Sequence, residues 1–226
     1  MYVIAFANPK GGTGKTTSAL LLAEQLATTN ARVGMLDCDP NQNLVSWQEQ
    51  RKAGGRAMPF TVHARPAEDE LVEMIDSLDD TYDFLIVDLE GTAAQIVTFA
   101  LSRSDFCLIP FEPTPMETRQ AARAVKLIES TGRMIRQTIP YALLMTRTNA
   151  AFQTSDERDV RAALENRPVL PVSLVRRAAF TRIFRESLLL SELGEVGVSN
   201  LKPALENARA YARAVTEAID RAEAVA

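Results

Sequence analysis

The sequence predicts an α/β fold: a single domain on a mostly parallel, twisted sheet with helices on both faces. Short apolar runs alternate with longer segments of helical spacing along the chain. The apolar runs are nearly continuous, as expected of strands buried on both faces of a parallel sheet. The chain has 226 residues, 46% of them hydrophobic and 24% charged, enough to bury a substantial core in one large domain.

The elements follow in order. YVIAFA (residues 2–7) reads as the first strand, and after a glycine-rich stretch Leu20, Ala23, Leu26 and Ala27 share one helix face. RVGMLD (32–37) and FTVHA (60–64) are the next strands, and Leu71, Met74, Ile75 and Leu78 share a second helical face. FLIVDL (84–89), FCLIPF (106–111), IPYALLMT (139–146) and the shorter VLPVSLV (169–175) complete the predicted strands. Residues 201–226 read as a last, alanine-rich helix. No internal repeat, low-complexity tract or Pro/Gly/Ser linker divides the chain, so residues 1–226 are expected to form one domain.

Composition narrows the function classes. No run of about 18 apolar residues is present, so no membrane-spanning helix is expected. The N-terminus enters the first strand without a basic stretch, a long apolar region or a cleavage site, which predicts a cytoplasmic protein. Cys38 and Cys107 lie in apolar stretches without a C-x-x-C pair and read as buried free thiols. His63, the sole histidine, reads as a strand residue. The net charge of −4 conceals an asymmetry: residues 66–91 hold ten acidic residues and no Lys or Arg, whereas residues 166–185 hold five arginines and no acidic residue. Local fields, not the average, decide whether such a chain meets an anionic partner.

NPKGGTGKTT (residues 8–17) sits between the first strand and the first helix. Gly14-Lys15-Thr16 completes the right half of G-x-x-x-x-G-K-[ST], but the opening glycine is replaced by Pro9, with Lys10 beside it. Gly11, Gly12 and Gly14 carry no Cβ to obstruct a phosphate chain, so backbone N–H groups from Gly11 through Thr13 to Lys15 suit an anion at a helix N-terminus. In such a loop Lys15 neutralises the β/γ-phosphates, the Thr16 hydroxyl is a Mg²⁺ ligand, and Thr17 lies near the α-phosphate.

KGGTGKTT (Lys10 to Thr17) resembles the deviant Walker A motif of the ParA/MinD family of P-loop ATPases. The resemblance implies ATP/ADP and Mg²⁺ as ligands, and an ATP-state homodimer in which Lys10 crosses to the phosphates of the other subunit. It implies weak ATP hydrolysis that a partner stimulates. In MLDCDP (35–40) the spacing of Asp37 and Asp39 puts both on one side of a strand. The resemblance assigns Asp39 to orienting the attacking water and Asp37 to the Mg²⁺ water shell. YDFLIVD (82–88) ends in Asp88, which matches a Walker B carboxylate acting on Mg²⁺. The segment after it runs LEGTAA, with Gly91 and Thr92 as the flexible elements of a second switch. MTRTN (145–149) departs from the Asn that relatives commonly place against adenine, leaving Thr146 and Arg147 as candidates; PFEPTP (110–115) resembles the proline-rich segment near the base.

Relatives of this kind differ in partner. Iron–sulfur roles lack the required cysteines here, and the mixed charges of the last helix do not suit a membrane surface. Arg167, Arg176, Arg177, Arg182 and Arg185 lie where ParA proteins bind DNA through its backbone, so non-specific DNA is the expected partner. Phe180, Ile183 and Phe184 read as core anchors of that segment, and a second basic run, Arg119, Arg123, Lys126, Arg133 and Arg136, is diluted by Glu129. No helix-turn-helix precedes the first strand, as in small plasmid-partition ParA proteins that work with a separate centromere-binding adaptor. The expected function is DNA segregation on the nucleoid. The alternatives are positioning of a protein cargo and accessory work in conjugative DNA transfer.

Overall fold

The computed structural model describes residues 1–90 and 95–224. Among these, strands β1 (Tyr2–Phe6), β2 (Val33–Asp37), β3 (Thr61–His63), β4 (Phe84–Asp88), β5 (Phe106–Phe111), β6 (Tyr141–Thr148) and β7 (Leu174–Val175) form one sheet in the order β3-β2-β4-β1-β5-β6-β7. Every pairing is parallel. Two helical layers cover it. Helices α1 (Lys15–Ala27), α2 (Asn43–Ala53), α7 (Ala178–Arg185) and α8 (Leu201–Glu223) pack with Ile4, Phe6, Ile86 and Leu108. Helices α3 (Leu71–Ser77), α4 (Gln95–Ser102), α5 (Pro115–Ile135) and α6 (Ser155–Ala163) pack with Val3, Ala5, Val87 and Ile109. Successive strand residues thus enter opposite cores, which explains apolar runs without a polar face.

Helix α1 is buried on nearly every side rather than on the single face its spacing suggested. The sheet covers one side and α8 the other, with Tyr211 donating its hydroxyl to the Ser18 carbonyl at 3.2 Å. Strand β6 runs two residues beyond its expected end, and its register with β7 slips between Thr146 and Thr148. Arg147 stands at the slip with φ 55°, the left-handed conformation that a bulged strand residue adopts. The seventh strand is shorter than expected. Leu143 pairs with Val169, the ladder breaks at Pro171, which has no N–H, and pairing resumes at Leu174. Both cysteines are buried and free.

Central β1 lies between β4 and β5, so the chain's crossovers diverge on either side of it. In open α/β sheets such a reversal leaves a crevice beyond the strand C-termini where ligands bind. Asp88 is level with Phe6 on one side and with Asp37 on the other, which brings the ends of β1, β2 and β4 to one height.

Candidate functional site

The loop between β1 and α1 occupies that crevice. Gly12 and Gly14 have φ 77° and 93°, conformations that glycine adopts without strain. A Cβ built on Gly11 or Gly12 would meet no atom within 4 Å, so the cradle is open on the side a ligand would enter. Gly14 caps α1 without a side-chain bond, and no acidic residue stands in the first turn. The helix therefore presents its free N–H groups and positive dipole end to the loop without a competing carboxylate. These features fit a bound phosphate chain.

Both lysines are engaged by oxygens of the chain itself. Lys15 donates to the carbonyls of Asn8 and Lys10, each at 3.2 Å. Burial pushes its pKa down, while Asp88, Asp39 and Glu90 pull it up. Lys10 pairs with Glu117 in the first turn of α5.

Asp88 is 1% exposed, and neither of its oxygens has a hydrogen-bond partner among the described residues. Burial raises its pKa to about 7; the nearby Thr16 hydroxyl, which does not meet hydrogen-bond geometry with either oxygen, lowers it, Asp37 raises it and Lys15 lowers it in turn. An orphaned buried carboxylate beside Thr16 fits a Mg²⁺ ion held through Thr16 and water. No three Asp, Glu, His or Cys side chains gather to hold a metal among the described residues. Mg²⁺ at nucleotide sites takes one or two protein ligands and completes its shell with phosphates and water.

Asp37 and Asp39 do not share a strand side as their spacing suggested, because β2 ends at Asp37 and Asp39 lies in the following turn. Asp37 is buried and accepts from the N–H groups of Leu44 at 2.9 Å and Val45 at 3.2 Å, anchoring the start of α2. Its pKa is raised by burial, against those hydrogen bonds. Asp39 is half-buried and accepts from Asn41. Gly91 and Thr92 lie outside the described residues.

Thr146 is buried and donates to the Thr13 carbonyl at 2.8 Å, so its hydroxyl holds the loop rather than facing a base. Arg147, turned outward by the bulge, reaches Glu112 at 3.7 Å. A hollow of about 450 Å³ opens from Gly14 and Thr17 between Arg147, Arg176, Arg177 and Phe180. A larger hollow of about 640 Å³ lies between Glu112, Pro113 and Asn149 and includes no residue of the loop.

The five arginines do not form one surface. Val169 is level with Leu143 and Val175 with Thr148, so Arg167, two residues before Val169, lies toward the opposite end of the sheet from Arg176. Five residues of strand separate those two levels, about 16 Å. Arg176 and Arg177 line the hollow beside the loop, and Arg176 bonds Glu112 at 3.0 Å. Arg182 and Arg185 both lean on Glu186, the first residue past the acid-free stretch. Arg185 keeps a side chain 75% exposed. Phe180 and Ile183 are core residues as expected, while Phe184 is half-buried at the rim of the hollow.

Sequence reasoning missed three residues. Asn8, 2% exposed, donates to the Pro110 carbonyl at 2.8 Å and accepts from the Lys10 N–H at 3.0 Å, tying the loop to β5. A polar residue ending an apolar strand was its signal. Glu117 was signalled only as the fourth residue of T-P-M-E, a helix-start pattern. Glu112, between Arg147 and Arg176, had no local signal.

The VirC1 protein family model matches residues 1–226. Protein ParA of Rhizobium radiobacter is 32% identical over 224 residues, covering 98% of this chain and 99% of that one. The maintenance of carboxysome distribution protein A of Halothiobacillus neapolitanus is 29% identical, covering 88% of this chain and 90% of its own length. In fold, the chain is similar to apo McdA from Cyanothece, with a TM-score of 0.75 at 21% identity over 97% of this chain and 99% of that chain. It is also similar to MinD of Aquifex aeolicus, with a TM-score of 0.71 at 19% identity over 96% and 98%. From a loop with two lysines, the aspartates level with it and a match along its whole length, the chain belongs to the VirC1 family, within the ParA/MinD P-loop ATPases.

Proposed function

We propose that the chain is an ATPase that dimerises on binding ATP, binds DNA non-specifically, and segregates plasmid or chromosome DNA with a centromere-binding adaptor that stimulates hydrolysis. The observation that carries this reading is an open glycine cradle with two lysines and an orphaned buried carboxylate at one strand-end crevice. The relatives named ParA and McdA support it, and one McdA structure is an ATP complex.

In this reading Lys15 exchanges two carbonyl oxygens for phosphate oxygens, a stronger charge-assisted contact. Thr16 and Asp88, with Asp37 fixed behind them, would hold Mg²⁺, which supplies neutralisation of the phosphate charge. Asp39 orients the attacking water. The nucleoside enters the hollow that opens from Gly14 and Thr17, where Arg147, Arg177 and Phe180 flank it. Lys10 reaches the phosphates bound by a second subunit. Arg182 and Arg185 contact DNA phosphates, and dimerisation doubles that surface so that ATP gates DNA affinity by avidity. The protein then resides in the cytoplasm on the nucleoid.

Retention on non-specific duplex DNA with Mg²⁺ and ATP, ADP or no nucleotide tests the reading. Arg185→Glu is the informative variant, because Arg176 and Arg177 line the nucleotide-side hollow and their loss would confound the two ligands. Retention should require ATP, fall steeply with salt, and weaken in Arg185→Glu but not in Arg167→Glu at the far end of the sheet. No retention in any nucleotide state would remove DNA from the function. A second reading, positioning of a protein cargo, is favoured by the similarity to the carboxysome-distribution relative. Labelled cargo in cells separates the two: plasmid foci lose even spacing when the gene is deleted in the first, protein foci in the second.

A further inference from the structure

Glu117 is the one acidic side chain paired with Lys10 among the described residues, and the fold places it with care. It stands in the first turn of the 21-residue helix α5, where its backbone N–H is capped by the Thr114 hydroxyl at 3.3 Å. Its side chain is 9% exposed, whereas that of Lys10 is 40% exposed. One carboxylate oxygen takes the Lys10 ammonium, and the other is buried with no hydrogen-bond partner among the described residues. Asn8 fixes the backbone of Lys10 from the other side, tying it to the end of β5 from which α5 follows. The lysine is therefore tethered at both ends within its own subunit.

We infer that Glu117 is a positioning residue that latches Lys10 in cis and so opposes dimerisation until phosphate charge is available to take the lysine over. This rests on the dimer reading above. An ammonium has three donors but a single charge, and it must leave the carboxylate to neutralise phosphates across an interface. Departure leaves Glu117 as a buried carboxylate without its cation, a state that only a strongly anionic ligand offsets. Each dimer releases two such latches, so the effect on association is doubled. Without nucleotide, no group offers Lys10 a better partner than the one it has, and the latched monomer prevails.

The test is sedimentation of wild type and Glu117→Gln across a range of protein concentrations, with Mg²⁺ and a non-hydrolysable ATP analogue, ADP, or no nucleotide. Glutamine preserves the shape and the backbone cap while removing the charge. The half-exposed lysine moderates the pair, so the analogue-bound dimer of Glu117→Gln should form at about tenfold lower protein concentration than wild type. The variant should remain monomeric without nucleotide, because the lysine still lacks a phosphate to meet. A merely structural role for Glu117 would not produce a tighter dimer confined to the analogue. The gain should vanish when Lys10→Ala is added. A dimer of unchanged or weaker affinity in Glu117→Gln, beside a wild type that dimerises with the analogue, overturns the latch alone. A wild type that stays monomeric with the analogue overturns the dimer reading, and the latch with it.

Discussion

Asp88 is a carboxylate buried to 1% exposure with two oxygens unpartnered among the described residues, so burial works against its charge. Its pKa in the folded chain is about 7 against an ordinary 3.8. Between those values the folded state holds a proton that the unfolded state has lost. Stability of the ligand-free protein therefore falls as pH rises through this window, and the penalty is complete above about pH 7. Asp37, also raised by burial, acts in the same direction. Melting the ligand-free protein between about pH 5 and pH 8 should show this decline, and Asp88→Asn should flatten it. Parallel profiles for the two proteins would mean that Asp88 is not the group responsible. The difference profile removes Asp105 and His63, whose shifts both proteins share, and keeps the part of the Asp37 titration that is coupled to Asp88.

Helix α2 connects the aspartate end of the site to the arginine-bearing helix α7. Asp37 holds its first turn, the Trp47 indole donates to the Ile183 carbonyl at 2.9 Å, and Arg51 closes its last turn. The Arg51 side chain is fully buried, donates to Glu192 and to the Ala57 carbonyl, and lies 5.1 Å from the centre of the Trp47 ring. Removing one partner of a buried pair costs about 3–5 kcal/mol, but Glu192 is 22% exposed and carbonyls still serve Arg51. Glu192→Ala should therefore destabilise by about 2–3 kcal/mol in urea unfolding. The fluorescence of Trp47, the sole tryptophan, reports on this helix. A loss below about 0.5 kcal/mol would place Arg51 among groups satisfied by carbonyls alone. None of this was legible in the sequence. Trp47 and Arg51 lie up to 145 residues from Glu192 along the chain, and local periodicity carries no record of such pairs.

Over the whole molecule, the seven apolar runs were legible because burial on both faces leaves a strong local mark. The phosphate loop was legible because glycines, lysines and threonines in fixed order serve one geometry. Arg167 was misplaced beside Arg176 because proximity along the chain hid the climb of the chain along β6 between Val169 and Val175. Glu112 and Glu117 were invisible as site residues because their partners come from other strands and loops. The site itself spans β1, β2, β4, β5 and β6, so nothing short of the folded sheet assembles it, and a nucleotide should bind the folded state alone. By mass action, MgADP at about 100 times its dissociation constant should add about 2.7 kcal/mol to unfolding. For a chain of this size that raises the melting temperature by about 5–10 °C. Lys15→Ala should lose most of the shift, since its ammonium sits against the loop carbonyls beside the cradle. An unshifted melt of wild type in saturating MgADP would show that the open cradle does not hold a nucleotide. A shift retained in Lys15→Ala would move the phosphate contact from that lysine to the backbone N–H groups and Lys10.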